Sequence, residues 1–594
     1  MEILRRELNS EQLAIAQDLD SNILVIAGPG SGKTRLLVHR IGYQLRATPD
    51  LPFKALCLTF TNEAAKQLAT RLHSIVPPNA RWRLWCGTFH QFGQFLLSNY
   101  GNHLGLSRSF EIIDEFQAAE ILEQVLDTLS VSNVKPSGLF NSISKFRGRV
   151  NRPSSEDLAG AAGRFDEILS LYTEIKRVNR VMDFDDLIEL PIELLRKQTN
   201  LNSLIRDVYR FIFVDELQDT SLLQLELLKE VFEPETSLIF GVADEDQILY
   251  EWRDARLATI KEFEQYFKAS PKFLVLNYRS PQEIVNVGNA LIRNNPDRYD
   301  KELRSAVTSR SGCVNVFRAS TPNDEAEFIA NRIATGLQTG LRKQTDYVVL
   351  GRTNWILNPI KESLERRGVP FVHVGDREIS SSPVTRFIKA ALTVAGGHPD
   401  GYTRLKNPIK DINSQVGASL LEPTKVLKVI ESAKVLPTLR FIETLLVDTG
   451  LSEAIDGTDL QNHLDVALKV VHAAIRYGIE SYRDLSRTLV LEWNRLESQV
   501  LRAEDCVKVM SIHQAKGLEF PVVHIVRLEE RLLPYIRRES KVNIPEERRL
   551  LFVAIMRAEE EVVLSLCEYN DNGWQCNPSP FFDDIVTCNI TELT

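Results

Sequence analysis

Along residues 1–90, short apolar runs alternate with longer stretches whose apolar positions recur every three or four residues. "NILVIA" (22–27) and "FKALCLTF" (53–60) have the compact, β-branched character of buried strands, and "NEAAKQLATRLHSI" (62–75) has the spacing of a helix. Alternation of this kind builds βαβ units and a parallel sheet. From about 91 to 195 the pattern becomes helical, with polar breaks at "VKPSG" (134–138) and "RPSSED" (152–157), which predicts a helical insertion. Strand patterns return at "YRFIFVDE" (209–216), "TSLIFGVADEDQ" (236–247) and "PKFLVLNYRS" (271–280). A second alternating region follows. Its predicted strands "CVNVFRAS" (313–320), "DYVVLGRT" (346–353) and "VPFVHVG" (369–375) are separated by helical patterns at 324–337 and 358–368. After Pro383 the chain is helical to about 500, and strands resume at "CVKVMSI" (506–512), "FPVVHIV" (520–526) and "EVVLSLCEY" (561–569).

The predicted fold class is therefore α/β, with two tandem parallel-sheet cores, each interrupted by a mainly helical insertion. The expected boundaries are 1–90 with 196–277 for the first core and 91–195 for its insertion. The second core takes 278–382 with 500–594, and its insertion takes 383–499. The length of 594 residues accommodates this many domains.

Composition narrows the partners. Net charge is −9, so a uniformly basic nucleic-acid coat is excluded, and any nucleic acid must lie in a local basic groove. Seven cysteines are scattered with no CxxC pair, which speaks against a zinc ribbon or an iron–sulfur cluster and for reduced thiols. "MEILRRELNSEQ" has no apolar signal region, and no run of about 18 apolar residues occurs. The expectation is a soluble, cytoplasmic protein with no membrane partner.

Candidate chemistry begins at "AGPGSGKT" (27–34), between a predicted strand and a predicted helix. Backbone N–H groups of a glycine-rich turn converge on phosphate oxygens, and the helix N-terminus adds a favourable dipole. Gly28, Gly30 and Gly32 allow close approach. Lys33 reaches the β- and γ-phosphates and Thr34 holds Mg²⁺. Ala27 stands where the strict pattern has glycine and adds only a methyl. In "FIFVDELQDT" (211–220) two acids end a buried strand: Asp215 is the expected metal ligand and Glu216 the expected general base for an attacking water. Tyr250, Trp252 and Arg253 cluster in "LYEWRDA". They suit either base stacking along a single strand or, the commoner role for such residues, packing at a helix start. "LNYRS" (276–280) and "RRLLFVAIMRAEEE" (548–561) each supply an arginine of the kind that stabilises charge on a γ-phosphate from across a cleft, or simply a solvated charge.

The order of these strings, together with "LNSEQLAIA" (8–16), "LTFTNEAAKQL" (58–68), "GTFHQF" (87–92), "MDFDDLI" (182–188), "VMSIHQAKGLEFP" (509–521) and "EERRLLFVAIMRA" (546–558), resembles the UvrD/Rep/PcrA group of superfamily 1 DNA helicases over nearly the whole length. The resemblance implies RecA-like cores, ATP and Mg²⁺ as ligands, and 3′→5′ movement on single-stranded DNA with unwinding at duplex junctions. It implies that Gln12 reads adenine and that Tyr278 stacks on it. The nucleotide site would comprise Ala27, Gly28, Pro29, Gly30, Ser31, Gly32, Lys33 and Thr34, with Lys516 beside the phosphates and Glu519 on the ribose. Gln247 would sense the γ-phosphate, and Arg279 and Arg557 would be the arginine fingers. Phe60, Asn62, Thr88, His90, Tyr250, Trp252, Arg253 and His513 would face single-stranded DNA.

Three features depart from the family pattern. Met556 stands where the family usually has Thr. The second insertion is short, and "NSQVGASLLEP" (413–423) is its nearest match to the family's duplex-gripping turn. The tail "YNDNGWQCNPSPFF" (569–582) has Asn572-Gly573 poised for a tight turn, with Tyr569 or Trp574 as either a duplex wedge or a buried aromatic. The expected pathways are DNA repair, replication or antiviral defence. An alternative is a DNA-stimulated ATPase switch or helicase subunit that regulates a partner nuclease or repair protein, as in Gabija-type defence complexes.

Overall fold

The computed structural model describes residues 6–107, 110–148, 162–249, 257–374, 377–397, 401–417, 420–455, 459–476, 479, 481–536 and 542–593. The chain divides into two compact units, Met1–Phe371 with Val509–Thr594, and Val372–Lys508. No described helix is long and apolar enough to cross a membrane.

The strands are β1 (Ile23–Ala27), β2 (Lys54–Thr59), β3 (Leu84–Thr88), β4 (Glu111–Ile112), β5 (Val181–Met182), β6 (Tyr209–Val214), β7 (Leu238–Ala243) and β8 (Ser270–Leu274). The first sheet has the order β3-β2-β6-β7-β1-β8, and all its pairs are parallel. Side chains alternate between its two faces. Ile23, Val25, Ala55, Cys57, Phe211, Phe213, Phe240 and Val242 pack on one face. Leu24, Ile26, Leu56, Leu58, Ile212, Val214 and Ile239 pack on the other. Burial on both faces is why these strands read as continuous apolar runs rather than alternating ones. The C-terminal ends of β1, β2, β3, β6 and β7 carry Pro29 to Lys33, Phe60, Thr88, Asp215 and Asp244, the edge at which doubly wound sheets bind ligands.

Besides strands of two or three residues that the pattern does not predict, two strand assignments differ from expectation. β3 was not apparent in the hydrophobic pattern, because "LWCGT" is short and half-buried as an edge strand. The run 271–280 is not one strand but two: β8, and β9 (Leu276–Asn277), which pairs with β10 (Arg304–Ser305). The chain leaves the sheet at Val275, whose carbonyl accepts from the Arg304 N–H at 3.0 Å. That departure carries Asn277, Tyr278 and Arg279 toward the glycine loop.

Between β3 and β6 the chain is mainly helical. Helices Glu115–Thr128, Pro136–Arg147 and Phe165–Asn179 enclose Leu122, Val125, Leu139, Ile143, Ile168 and Tyr172. The second sheet uses β11 (Cys313–Ala319), β12 (Tyr347–Gly351), β13 (Phe371–Val374), β14 (Val507–Ser511), β15 (Phe520–Ile525), β16 (Ala558–Cys567) and β17 (Thr591–Leu593), in the order β13-β14-β12-β15-β16-β11-β17. Between Pro383 and Arg502 the described residues of the second unit are mainly helical, packed around Phe387, Phe441, Leu445, Leu489 and Trp493. Within it Gly417, at φ 72°, ends the helix Gly401–Val416, and the Asn413 side chain caps the following turn through the N–H groups of Leu420 and Leu421. Ala418 and Ser419 lie outside the described residues.

Candidate nucleotide site

The glycine loop joins β1 to the helix Lys33–Ala47. Gly32, at φ 79°, occupies the cap position in the left-handed region, which glycine adopts without steric cost. Gly30 is also left-handed (φ 66°), and a Cβ there would lie 2.9 Å from Arg279 Cβ. The loop is held from both sides. Asn277 Nδ2 donates to Pro29 O at 2.8 Å, and the Tyr278 N–H donates to Gly30 O at 2.9 Å. Asn277 Oδ1 in turn accepts from the N–H groups of Arg279 and Ser280. From the N-terminal helix, Gln12 Nε2 donates to Ser31 O at 2.9 Å. Gln12 closes a capping box with Asn9, whose Nδ2 donates to Tyr278 Oη at 2.8 Å. Gln12 is buried, while Tyr278 stays 42% exposed, so a ring face remains open to stacking beside the loop.

Lys33 projects toward the acids of the neighbouring strands. Its Nζ lies 3.3 Å from Asp244 Oδ2 and 3.4 Å from Gly28 O. Asp215 follows β6, is buried, and has its carboxyl pushed up to about 7, by burial and then by Glu216, with Lys33 opposing. Glu216 sits in the left-handed region at φ 50°, an unfavourable conformation for a side chain with a Cβ, and its carboxylate accepts from Gln218 Nε2. Asp219 is raised to about 6 by burial, and Lys516 Nζ contacts both its oxygens at 2.6 and 2.7 Å. Lys516 also donates to Gln247 O at 3.0 Å.

Gln247 is the hub. Its Nε2 donates to Asp244 Oδ2 at 2.5 Å and its Oε1 accepts from Arg557 Nη2 at 3.2 Å. Arg557 is buried, and burial together with Arg279 lowers its guanidinium to about 9. Its Nε and Nη1 donate to the carbonyls of Val553 and Leu518. Arg279 is more open, bonded to Glu519 at 2.8 Å and to Met556 O at 3.1 Å. Met556 itself is buried, with its sulfur against Gly288.

The structure thus brings Gln12, the loop, Asp215, Glu216, Gln247, Tyr278, Arg279, Lys516, Glu519 and Arg557 into one neighbourhood. The donor set suits a magnesium nucleotide. Four cations (Lys33, Arg279, Lys516 and Arg557) face it, and a hydroxyl and a carboxylate, Thr34 and Asp215, offer the oxygen ligands that Mg²⁺ prefers. Bound there, Mg²⁺ would supply charge neutralisation to the β- and γ-phosphate oxygens. Asn277, Gln218, Asp219 and Asp244 were not singled out from the sequence. Asn277 sits next to Tyr278 in a quoted string, and Asp244 is one of the acids ending β7, so both had a local signal.

The expected DNA-facing residues divide. Thr59 and Thr88 are in register on β2 and β3, so Phe60 and Asn62 leave the sheet at the same edge as Thr88 and His90. Thr88 Oγ1 accepts from the Gln91 N–H, so its hydroxyl caps the helix Phe89–Tyr100. The His90 ring meets Phe184 edge-on, with centroids 5.8 Å apart. His513 follows β14. Burial, with Arg352 and Lys516, lowers its imidazole to about 4, so it is neutral at pH 7. Tyr250, Trp252 and Arg253 lie outside the described residues. In the tail, Gly573 at φ 75° and an Asn570 N–H to Trp574 O bond of 2.9 Å form the tight turn, and Tyr569 and Trp574 are 45% and 71% exposed.

Comparison with known proteins is consistent along the chain. Residues 8–268 match the UvrD/REP helicase N-terminal domain, and residues 273–384 with 471–569 match the UvrD-like helicase C-terminal domain. The chain is 29% identical to the ATP-dependent DNA helicase PcrA of Bacillus subtilis, over 96% of this chain and 84% of that protein. It is 28% identical to the proteins of the same name from Staphylococcus aureus and Staphylococcus epidermidis, over 95% and 94% of this chain and 84% and 83% of theirs.

Proposed function

The chain belongs to the UvrD/REP helicase family, and from that premise we propose that it is an ATP-dependent DNA helicase that moves 3′→5′ along single-stranded DNA. The observation that carries the coupling of ATP to movement is the bond between Arg557 and Gln247, which ties the helix and strand following residue 544 to Asp244 at the end of β7; the DNA substrate and the direction rest on the family. A γ-phosphate held by Lys33 would lie within reach of both side chains, so its presence or loss is felt by the two sheets together. Glu216 would take a proton from the attacking water, and Arg557 and Arg279 would stabilise the charge that develops. Phe60, Asn62, His90 and His513 are proposed to line the DNA path. Trp574, at the tip of its turn, is proposed as the wedge at the junction. The four segments expected from the sequence, two cores and two insertions, are the proposed working parts.

Steady-state ATP hydrolysis with and without single-stranded DNA tests the coupling, and a strong stimulation is expected. Strand displacement on duplexes with a 3′ or a 5′ tail tests the polarity. Unwinding from the 5′ tail would overturn the assigned direction. Stimulated hydrolysis with no unwinding on either substrate would favour a DNA-sensing ATPase that controls a partner.

A further inference from the structure

Asp244, Glu245 and Asp246 bring three buried carboxylates within 4.8 Å of one another, an arrangement that would suit a metal ion. A side chain already fills it. Lys301 Nζ lies 3.0 Å from Asp244 Oδ1, 2.5 Å from Glu245 Oε2 and 3.2 Å from Asp246 Oδ2, and the Lys301 and Asp244 side chains are both fully buried. Arg298 adds two bonds to Asp246, at 2.8 and 3.1 Å. Lys301 comes from the segment that also presses Leu303 against Gly28, where a Cβ would lie 2.2 Å from the leucine. One stretch, Arg298–Leu303, therefore touches both the acid cluster and the glycine loop.

The two oxygens of Asp244 have different partners. Oδ1 accepts from Lys301 Nζ at 3.0 Å and from the Asp246 N–H at 3.3 Å, while Oδ2 is shared by Gln247 Nε2 at 2.5 Å and Lys33 Nζ at 3.3 Å. On Oδ2 the Lys33 contact is the long one, and Lys33 is the partially exposed member of the pair. We propose that Lys301 is a positioning residue for nucleotide binding: by neutralising Asp244 through its far oxygen, it keeps Lys33 loosely held and free to turn to the phosphates. This rests on the reading of Lys33 as the phosphate ligand. When Lys33 turns away, Asp244 loses one of its two cations. Lys301 remains and spares the site a buried, unpaired carboxylate, which is among the most costly arrangements in a protein interior. Without Lys301, Asp244 would grip Lys33 more tightly, and the nucleotide would have to break that pair.

The test is a cycle of Lys301→Met, Asp244→Asn and the double variant, reading KM for ATP and kcat separately in the DNA-stimulated reaction of the full chain. A partly unfolded population lowers apparent kcat and leaves KM alone, so KM reports the proposed role. Lys301→Met is expected to raise KM by about tenfold, and the double variant is expected to match Asp244→Asn within about twofold. An unchanged KM in Lys301→Met, or an increment that persists undiminished on the Asp244→Asn background, would overturn the proposal. If Lys301→Met alone does not fold, Lys301→Gln, which keeps a polar group on the buried acids but removes the charge, takes its place in the cycle with the same two outcomes. Absence of ATP hydrolysis by the unaltered chain would instead remove the reading of the site itself.

Discussion

Two clusters of buried charge in the first unit use the same residue types to opposite ends. Near the helical stretch, Arg147 binds Asp183, Asp186 and Glu189 at 3.0, 2.5 and 2.7 Å. Lys176 binds Asp183 and Asp186 at 2.5 and 2.6 Å, and Tyr172 Oη donates to Asp183 at 2.9 Å. Asp183 and Asp186 also accept one another's backbone N–H groups. Burial alone would push the Asp183 carboxyl up, but Arg147 and Lys176 outweigh it and hold the group well below the usual carboxylate range. Arg147, Lys176, Asp183 and Asp186 all have short partners there; the neighbouring Asp185 is the exception, raised to about 6 by burial and then by Asp183, with its Oδ2 unpartnered. The cluster around Lys33 is unbalanced instead: Asp215 is raised, Arg557 is lowered and the Lys33 contact is long. A satisfied network specifies one structure, whereas groups displaced from their ordinary pKa values toward neutrality are poised for a ligand.

The sharpest separation comes from conservative variants in each cluster. Glu216→Gln and Asp215→Asn are expected to cut ATP hydrolysis by about 10²–10⁴-fold, with DNA affinity and melting temperature nearly unmoved. Phosphate release, filter binding and thermal melting read the three quantities, and continued turnover in both variants would break the site assignment. Asp183→Asn is expected to do the reverse. It leaves Arg147 and Lys176 short of a buried partner and should cost about 3–5 kcal/mol of stability, with KM for ATP unchanged. An unaltered denaturation midpoint would mean that the locked cluster is not structural.

His524 offers a third case, a buried ionisable group with no hydrogen-bond partner on either ring nitrogen. Burial, with Arg332, lowers it to about 3. The unfolded imidazole takes its proton near pH 6.5 and the folded one does not, so its contribution to stability falls as pH drops from about 6.5 toward 3. At pH 5 that loss is about 2 kcal/mol, and His524→Leu should flatten this acid limb when melting is followed from pH 7 to 5. A limb of equal slope in the variant would assign acid sensitivity elsewhere. The smallest effect concerns a neutral clamp. Asn277→Ala removes the bond to Pro29 O and is expected to raise KM for ATP by about five- to tenfold, with a smaller change in kcat. An unmoved KM would show that the loop keeps its shape unaided.

Much of this arrangement was legible locally. The strand runs, the glycine loop and the acids after β6 announce themselves, because a strand, a tight turn and a helix start depend on neighbours within a few positions. Tyr278 and Lys516 are reached only through whole-chain resemblance, and the same resemblance turns the arginines of "LNYRS" and "RRLLFVAIMRAEEE", which locally read equally as solvated charge, into Arg279 and Arg557 at the site. Lys301 gave no sign at all: it is 57 positions from Asp244, and an isolated lysine in "PDRYDKEL" reads as solvated charge. Likewise Thr88, expected to face DNA, has its hydroxyl engaged as a helix cap.

The sequence by itself determined the α/β class, most of the succession of strands and helices and the glycine loop between β1 and the helix Lys33–Ala47. Hydrophobic period and turn chemistry act over a few residues and are written along the chain. Only the tertiary structure decided which charges meet, that Asp244 divides its oxygens between Lys33 and Lys301, and that Arg557 reaches Gln247. Those outcomes depend on strand order and burial, which remove water and set every pair energy, and neither is a property of any short segment.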